Sequence, residues 1–388
     1  MKKAVMYGAG NIGRGFMGKV FSESGYKVCF LDINPAVIQA FNQSEEYKVH
    51  IVANEEEHYE KVTNVWALEA GSDEAINEIA NCDIMATAVG VNILPRIIDN
   101  LVKGICKRIS IAKGPLNILL AENQIHVDKL MRTWIYEKLD KKEQDWADAN
   151  LGLVEVSIGR MVPPLTEAEK ENDPLLIAVE PYCELPADSL GFKGEIPTLN
   201  GLVPFTPFDF YIKRKLFLHN MGHALCAYMG KKRGYEYIYQ AIADPVIYGM
   251  VSDAMGDVVQ ALHNEYPQIP LDEIEANRKD LLFRFGNKAL KDTVFRVAAD
   301  PVRKLRSNDR LVGGTLYCIE QGVSPENIVT GIVEAYRYDD ENDEGSVKIQ
   351  ELIEKNGIKE TIKEISDIEA DSELGKMIIS KWKVRQEV

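Results

Sequence analysis

Three glycines at fixed offsets near the N-terminus constrain the fold of this chain more than any other feature. Gly8-Ala9-Gly10-Asn11-Ile12-Gly13 follows a short apolar run, Ala4-Val5-Met6-Tyr7, and leads into a helical pattern over residues 11–24 that stops at Gly25. Gly8 permits a tight strand-to-helix turn, Gly10 lets the backbone approach a pyrophosphate, and Gly13 lets the helix lie close on a sheet. The free N–H groups of that helix start, with their partial positive charge, suit an anion. A second apolar run, Lys27–Asp32, ends on an acid 19 residues beyond Gly13, where a carboxylate meets the adenosine ribose hydroxyls of a dinucleotide. Ile33 and Asn34 follow, with no arginine to receive a 2′-phosphate, so the expected cofactor is NAD and not NADP.

The first half alternates short apolar runs with helical patterns. Strands are predicted over residues 3–7, 27–32, 84–88 and 108–112, with 153–156 and 175–179 as extensions, and such alternation builds a parallel, doubly wound Rossmann-type sheet. Residues 83–90 resemble the strand and loop that pass beside a bound nicotinamide dinucleotide, which adds Ala88 and Val89 to the expected cofactor contacts. Between Pro181 and Pro207 prolines and glycines punctuate one short segment, and long helical periodicities follow over 209–229, 238–263 and 271–285. The expected division is a NAD-binding domain over 1–194 and a mainly α-helical substrate-binding and catalytic domain over 195–388.

A net charge of −15 disfavours nonspecific association with nucleic acid or anionic membrane, so an anionic substrate must find a local basic patch. The six cysteines form no CxxC pair and lie mostly in apolar segments, as thiols do in a reducing cytosol. With no apolar run of membrane-spanning length, a cytoplasmic monomer or homodimer acting on a small molecule is expected. The six histidines include no HExxH and no Cys/His ligand set, so no metal is expected.

One segment of the second half concentrates chemistry. In Lys213-Arg214-Lys215-Leu216-Phe217-Leu218-His219-Asn220-Met221-Gly222-His223, at about 100° per residue, Lys215, His219, Asn220 and His223 fall within an arc of roughly 140°, opposite Phe217, Leu218 and Met221. Taken alone, such a face fits a solvated helix surface as well as a catalytic one. Further on, residues 284–310 hold eight basic side chains (Arg284, Lys288, Lys291, Arg296, Arg303, Lys304, Arg306, Arg310) against three acidic ones (Asp292, Asp300, Asp309).

Lys215-x4-Asn220-x2-His223, after an N-terminal GxGxxG and a Pro/Gly-rich linker, resembles the signature of the polyol-specific long-chain dehydrogenases. Arg214-Lys215-Leu216-Phe217, Pro301-Val302-Arg303-Lys304-Leu305 and Asp309-Arg310-Leu311 are similar to the phosphate-using branch of that family. The resemblance implies metal-independent hydride transfer between NAD and a hexitol phosphate, mannitol 1-phosphate being oxidised to fructose 6-phosphate or the reverse. It also implies Lys215 as general acid/base, Asn220 and Asn123 as donors to the substrate oxygen, and His223 as an orienting group. Arg303 and Lys304, assisted by Arg310 and Arg284, would hold the phosphate. The chain departs from the family pattern at Ala121, where relatives carry Cys, and at Gly159, where an acid precedes the arginine. Two alternatives are an NAD-dependent dehydrogenase of an unphosphorylated hexitol or hexuronate, and a non-catalytic NAD(H)-sensing protein.

Overall fold

The strand, glycine turn and helix expected at the N-terminus open the first of two compact units, residues 1–209, in a computed structural model that describes residues 1–54 and 57–384. Six strands form one parallel sheet: β1 (Lys3–Tyr7), β2 (Lys27–Asp32), β5 (Val65–Glu69), β6 (Ile84–Thr87), β7 (Leu116–Leu120) and β8 (Leu151–Glu155), in the order β5-β2-β1-β6-β7-β8. All five pairings are parallel, and the strands are buried on both faces, the pattern of a sheet covered by helices on each side. The order reverses between β1 and β6, so a crevice opens at their carboxyl ends, the place where such sheets bind ligands.

The strand predicted over 108–112 is not formed. Residues 108–110 end the helix Leu94–Ser110 and 111–112 form the turn after it, and the fifth strand of the sheet is instead Leu116–Leu120. The alternation Arg108-Ile109-Ser110-Ile111 imitates a strand, but Ile97, Ile98, Leu101, Val102 and Ile105 carry the helical period through to Arg108. The Arg108 guanidinium is buried and donates to the carbonyls of Ala80, Cys82, Gly114 and Pro115, which ties the helix end to the start of the next strand.

The predicted extension over 153–156 joins the main sheet as β8, but that over 175–179 does not. β9 (Ile177–Val179) pairs with β3 (Glu46–Val52), which also pairs with β4 (Glu57–Thr63), in a separate three-stranded sheet; β10 (Leu185–Asp188) and β11 (Leu202–Phe205) form a two-stranded ribbon. The small sheet shapes the glycine helix. Gly15 lies against Ile177 and Val179, and Gly18 against Phe30 and Tyr47, so side chains at either position would collide. Residues Gly13–Gly18 take a wider π-helical turn before the α-helix Lys19–Glu23. Carbonyls near that turn find partners outside the helix: Tyr47 donates to Arg14 O (2.7 Å) and Arg160 to Gly15 O (3.0 Å).

The second unit, residues 210–388, is helical throughout its described part. Its centre is the helix Met221–Lys232, whose Ala224, Leu225, Cys226, Ala227, Tyr228 and Met229 are all buried, as expected of a helix surrounded by others. Gly331 on Glu326–Tyr336 admits Leu225, and Gly230 admits Ala241 and Val294, so backbones approach closely there. The longest unbroken neighbour is Pro245–Glu265, started by an Asp244 side chain that accepts from Val246 N and Ile247 N. No helix among the described residues is long and apolar enough to cross a membrane.

Candidate functional sites on the two units

In unit 1 the glycine turn has the shape of a phosphate cradle. Gly8 has φ +101°, and a Cβ there would lie 2.6 Å from Ala88 O; a Cβ on Gly13 would lie 2.0 Å from Gly8 O. Around Gly10 no atom lies within 4 Å of such a Cβ. Gly8 is therefore required by its positive φ and by Ala88 after β6, and Gly13 by the turn itself, while Gly10 borders open space where backbone alone would meet a pyrophosphate. Asp32 is held at the end of β2 by three backbone donors: Oδ2 accepts from Ala9 N (2.8 Å), and Oδ1 from Ile33 N (2.8 Å) and Asn34 N (2.9 Å). These bonds fix the carboxylate beside the glycine turn, as a ribose-binding acid must be. Asn11 and Ile12 begin the helix, and Ala88 continues from β6 with its N–H on Tyr7 O (2.9 Å).

Sequence reasoning gave no role to Glu122, which is buried beside the exposed Asn123 in the loop after β7. Its carboxylate accepts from Val89 N (3.0 Å) and Gly90 N (2.9 Å), one oxygen to each, and so sets the loop that the sequence placed beside the nicotinamide. Arg160, which follows the second departure from the family pattern at Gly159, donates to Glu180 O, Gly15 O and Cys183 Sγ, all in the first unit. A second unforeseen cluster joins His126, Asp128 and Glu155, with one ligand-type atom of each within 4.8 Å of the others. Burial and the Asp128 charge push the Glu155 carboxyl up to about 7.

In unit 2 the chemistry-bearing segment is not a regular α-helix. Residues Arg214–Asn220 form a π-helical turn leading into Met221–Lys232, so the uniform 100° spacing expected from the sequence does not hold. The wider turn brings residues five apart, such as Lys215 and Asn220, onto one side. The three consecutive cations then separate by role. Lys213 pairs with Glu265 (2.5 Å), and Arg214 stacks on Tyr211 with its guanidinium 4.4 Å from the ring centre. Lys215 is half-buried, and desolvation, with the Arg310 charge acting in the same direction, lowers its ammonium to about 8.

Burial also holds His219 well below its ordinary range, helped by the charges of Arg284, His223, Lys215 and Arg310. His223 stacks on Phe285 (4.9 Å, 10° between planes), and its Nε2 lies 3.1 Å from Asp292 Oδ2. Of the basic run, Lys288, Lys291, Arg296 and Arg306 are exposed. Arg303 is half-exposed and pairs with Asp300 (2.9 Å), and Arg310 with Asp309 (2.8 Å). Lys304 differs from all of them: it is 4% exposed, and no carboxylate oxygen lies within ion-pair distance of its ammonium among the described residues. Desolvation, then the charges of Arg310 and Arg303, lower it to about 7. The fold thus gathers Lys215, His219, His223, Arg284, Lys304 and Arg310 into one set of mutually acting groups, with Arg303 at its edge. Lys215 and Lys304 are both lowered first by burial and then by neighbouring cations.

Comparison with known proteins accounts for nearly the whole chain. The family models for the mannitol dehydrogenase Rossmann domain and the mannitol dehydrogenase C-terminal domain match residues 2–201 and 208–385. Among solved structures, a Pseudomonas fluorescens mannitol 2-dehydrogenase in ternary complex with NAD and D-mannitol is similar, with a TM-score of 0.73 and 14% identity over 100% of this chain and 92% of that one. A D-sorbitol dehydrogenase in substrate-free form gives 0.80 and 16% over 100% and 94%. At these identities the structural likeness concerns the fold.

Proposed function

Because this chain belongs to the mannitol dehydrogenase family, we propose that it is an NAD-dependent polyol dehydrogenase whose substrate is phosphorylated, interconverting D-mannitol 1-phosphate and D-fructose 6-phosphate as a mannitol-1-phosphate 5-dehydrogenase. NAD, held by the Gly8–Gly13 turn and Asp32, supplies the two-electron acceptor or donor when bound. The chain's own residues manage the proton and the phosphate. In oxidation, neutral Lys215 removes the hydroxyl proton as the carbon–hydrogen bond breaks; in reduction, the Lys215 ammonium returns it to the carbonyl oxygen. Asn220, one π-turn along, donates to that oxygen while it carries developing negative charge. His223 orients the substrate.

What carries the preference for a phosphorylated substrate is Lys304. A buried ammonium flanked by guanidiniums is destabilising by itself, and a phosphate dianion would reverse that, pairing with Lys304 as a point charge and with Arg303 and Arg310 as forks. An unphosphorylated hexitol or hexuronate offers the cluster no dianion. NADH oxidation measured in parallel with fructose 6-phosphate, fructose, glucose 6-phosphate and fructuronate tests the proposal: fructose 6-phosphate should give the highest kcat/KM by at least tenfold, the scale of one charged hydrogen bond. Best turnover with fructose or fructuronate would assign the chain to the unphosphorylated branch, and tight NADH binding without turnover of any of them would leave only a sensor.

Cofactor choice follows from Asp32. Its carboxylate would accept from the ribose hydroxyls and repel a 2′-phosphate, so NADH should be strongly preferred to NADPH. In Asp32→Ala the preference should shrink by about tenfold or more, and the value for NADH itself should fall, because the same oxygens hold Ala9, Ile33 and Asn34. A wild-type protein that uses both cofactors equally would remove Asp32 from this role.

A further inference from the structure

We infer that Asp292 is the positioning residue of the second unit: it fixes the orientation and the protonated nitrogen of His223, and through His223 the placement of the substrate. The inference rests on the proposed function only in its last clause, that His223 meets the substrate.

The geometry begins with a backbone that cannot drift. Asp292 accepts from Ile238 N through its carbonyl (2.9 Å), and Thr293 beside it forms an antiparallel bridge to Tyr237. Thr293 caps the short helix Val294–Ala298 by accepting from Arg296 N. The Asp292 side chain is thereby aimed inward, and the residue is 7% exposed. Its two oxygens face different partners. Oδ1 accepts from Arg296 Nε (2.7 Å) and Nη2 (2.6 Å), while Oδ2 lies 3.1 Å from His223 Nε2. The Phe285 ring, parallel to the imidazole at 4.9 Å, leaves the His223 ring little freedom to tilt.

A buried carboxylate needs a charged or donating partner, and Asp292 has the Arg296 guanidinium on one side and the His223 ring on the other. Burial opposes its charge, yet His223 and Arg296 together keep its carboxyl below the usual range, so it remains ionised at any working pH. A fixed negative oxygen beside Nε2 favours the proton on that nitrogen and leaves the Nδ1 lone pair as the acceptor of the neutral ring. Arg296 in turn prevents the carboxylate from rotating away. His223 then presents one defined edge, which a substrate hydroxyl or the lysine ammonium could use as an acceptor. Nε2 lies 3.1 Å from Oδ2 but outside hydrogen-bond angles, so it is the nearby negative charge of the carboxylate that favours the proton on that nitrogen.

Two measurements on the full chain test this. The first is ¹⁵N NMR of histidine-labelled protein, with the His223 signal identified by its loss in His223→Gln. The Nε2-protonated signature is expected in the wild type and a shift towards the other tautomer, or a mixture, in Asp292→Asn; an identical signature in both proteins overturns the inference whether or not the protein turns over any sugar. The second is a double-mutant cycle in kcat/KM for fructose 6-phosphate. Asp292→Asn alone should lose about tenfold to hundredfold, the range for residues that orient a working histidine, and should lose nothing further in a His223→Ala background. Multiplying losses would show that Asp292 acts independently of His223 and would overturn it. Asp292→Glu, which keeps the charge, should recover part of the activity, and it serves in both measurements should Asp292→Asn fail to fold. Wild-type protein inactive on all four sugars would refute the proposed function while leaving the NMR result to decide the positioning of His223.

Discussion

Lys215→Ala should lose about two to four orders of magnitude in kcat, the usual worth of a positioned acid or base, while the Kd for NADH stays near the wild-type value. The expectation follows from the lowering of the Lys215 ammonium to about 8 by burial and by Arg310, which brings it within reach of both protonation states near neutrality. The two directions should then show opposite pH profiles. With fructose, which makes no use of Lys304, reduction needs only the Lys215 ammonium, so its kcat/KM should be level below about 8 and fall above it. With mannitol, likewise indifferent to Lys304, oxidation needs the amine, so its kcat/KM should rise with pH and level off above about 8. Lys215→Arg should not rescue, because a guanidinium keeps its proton at any working pH. A Lys215→Ala protein with more than a tenth of wild-type kcat would remove this side chain from the mechanism.

Lys304→Met should act in two directions at once. The KM for fructose 6-phosphate should rise roughly tenfold to hundredfold, since a charged hydrogen bond contributes about 1.5–3 kcal/mol, with the KM for fructose unchanged. Stability should increase. The folded protein holds this lysine near 7 against 10.5 for an unburied one, so between those values the unfolded chain binds more protons and stability rises with pH. Below about 7 both states are protonated and the full burden of the buried charge remains. Removing the ammonium should therefore raise Tm at neutral pH by a few degrees, each ~1 kcal/mol being worth about 2–4 °C in a unit of this size, and should flatten the dependence above it. A lysine with only a structural role would change Tm and leave the KM of the phosphorylated sugar alone. Arg303→Ala should raise that KM by about tenfold with no gain in Tm, because Arg303 is half-exposed and already paired with Asp300.

What was legible in the sequence is what local chemistry dictates. The positive φ of Gly8 and the contact of Gly13 with Gly8 O are conditions of the turn itself, so the glycine spacing announced the sheet, the helix and the acid at the end of β2 together. Residues 108–112 misled because five residues cannot distinguish alternation from the last turn of an amphipathic helix. The small sheet of β3, β4 and β9 is closed by a parallel pairing between Val49–Ile51 and Ile177–Val179, which no local pattern signals. The π-helical turns at Gly13–Gly18 and Arg214–Asn220 respond to neighbours such as Tyr47, Ile177 and Val179 in the first case, so helical periodicity could place Lys215 near Asn220 but could not give the wider turn. Among eight basic residues in the run from Arg284 to Arg310, the sequence alone could not separate buried Lys304 from exposed Arg306, two positions along. Glu122 and Asp292 have no sequence signal beyond being acids; their roles come from which N–H groups and which imidazole the fold brings to them.

The central claim, that a dianionic phosphate is read by a lysine held near neutrality, is tested most directly by the ratio of kcat/KM for fructose 6-phosphate to that for fructose, followed in NADH oxidation from pH 6.5 to 9. Both sugars use Lys215 alike, so its titration cancels in the ratio; with a second pKa of about 6 the sugar phosphate is about three-quarters dianionic at pH 6.5 and about nine-tenths or more above pH 7, so its own titration can only raise the ratio with pH. What remains is the charge of Lys304 in the free protein. The ratio should exceed about ten at pH 6.5 and fall as pH rises through about 7, where Lys304 loses its proton. A ratio near one, or a large ratio that does not change with pH, would contradict the account.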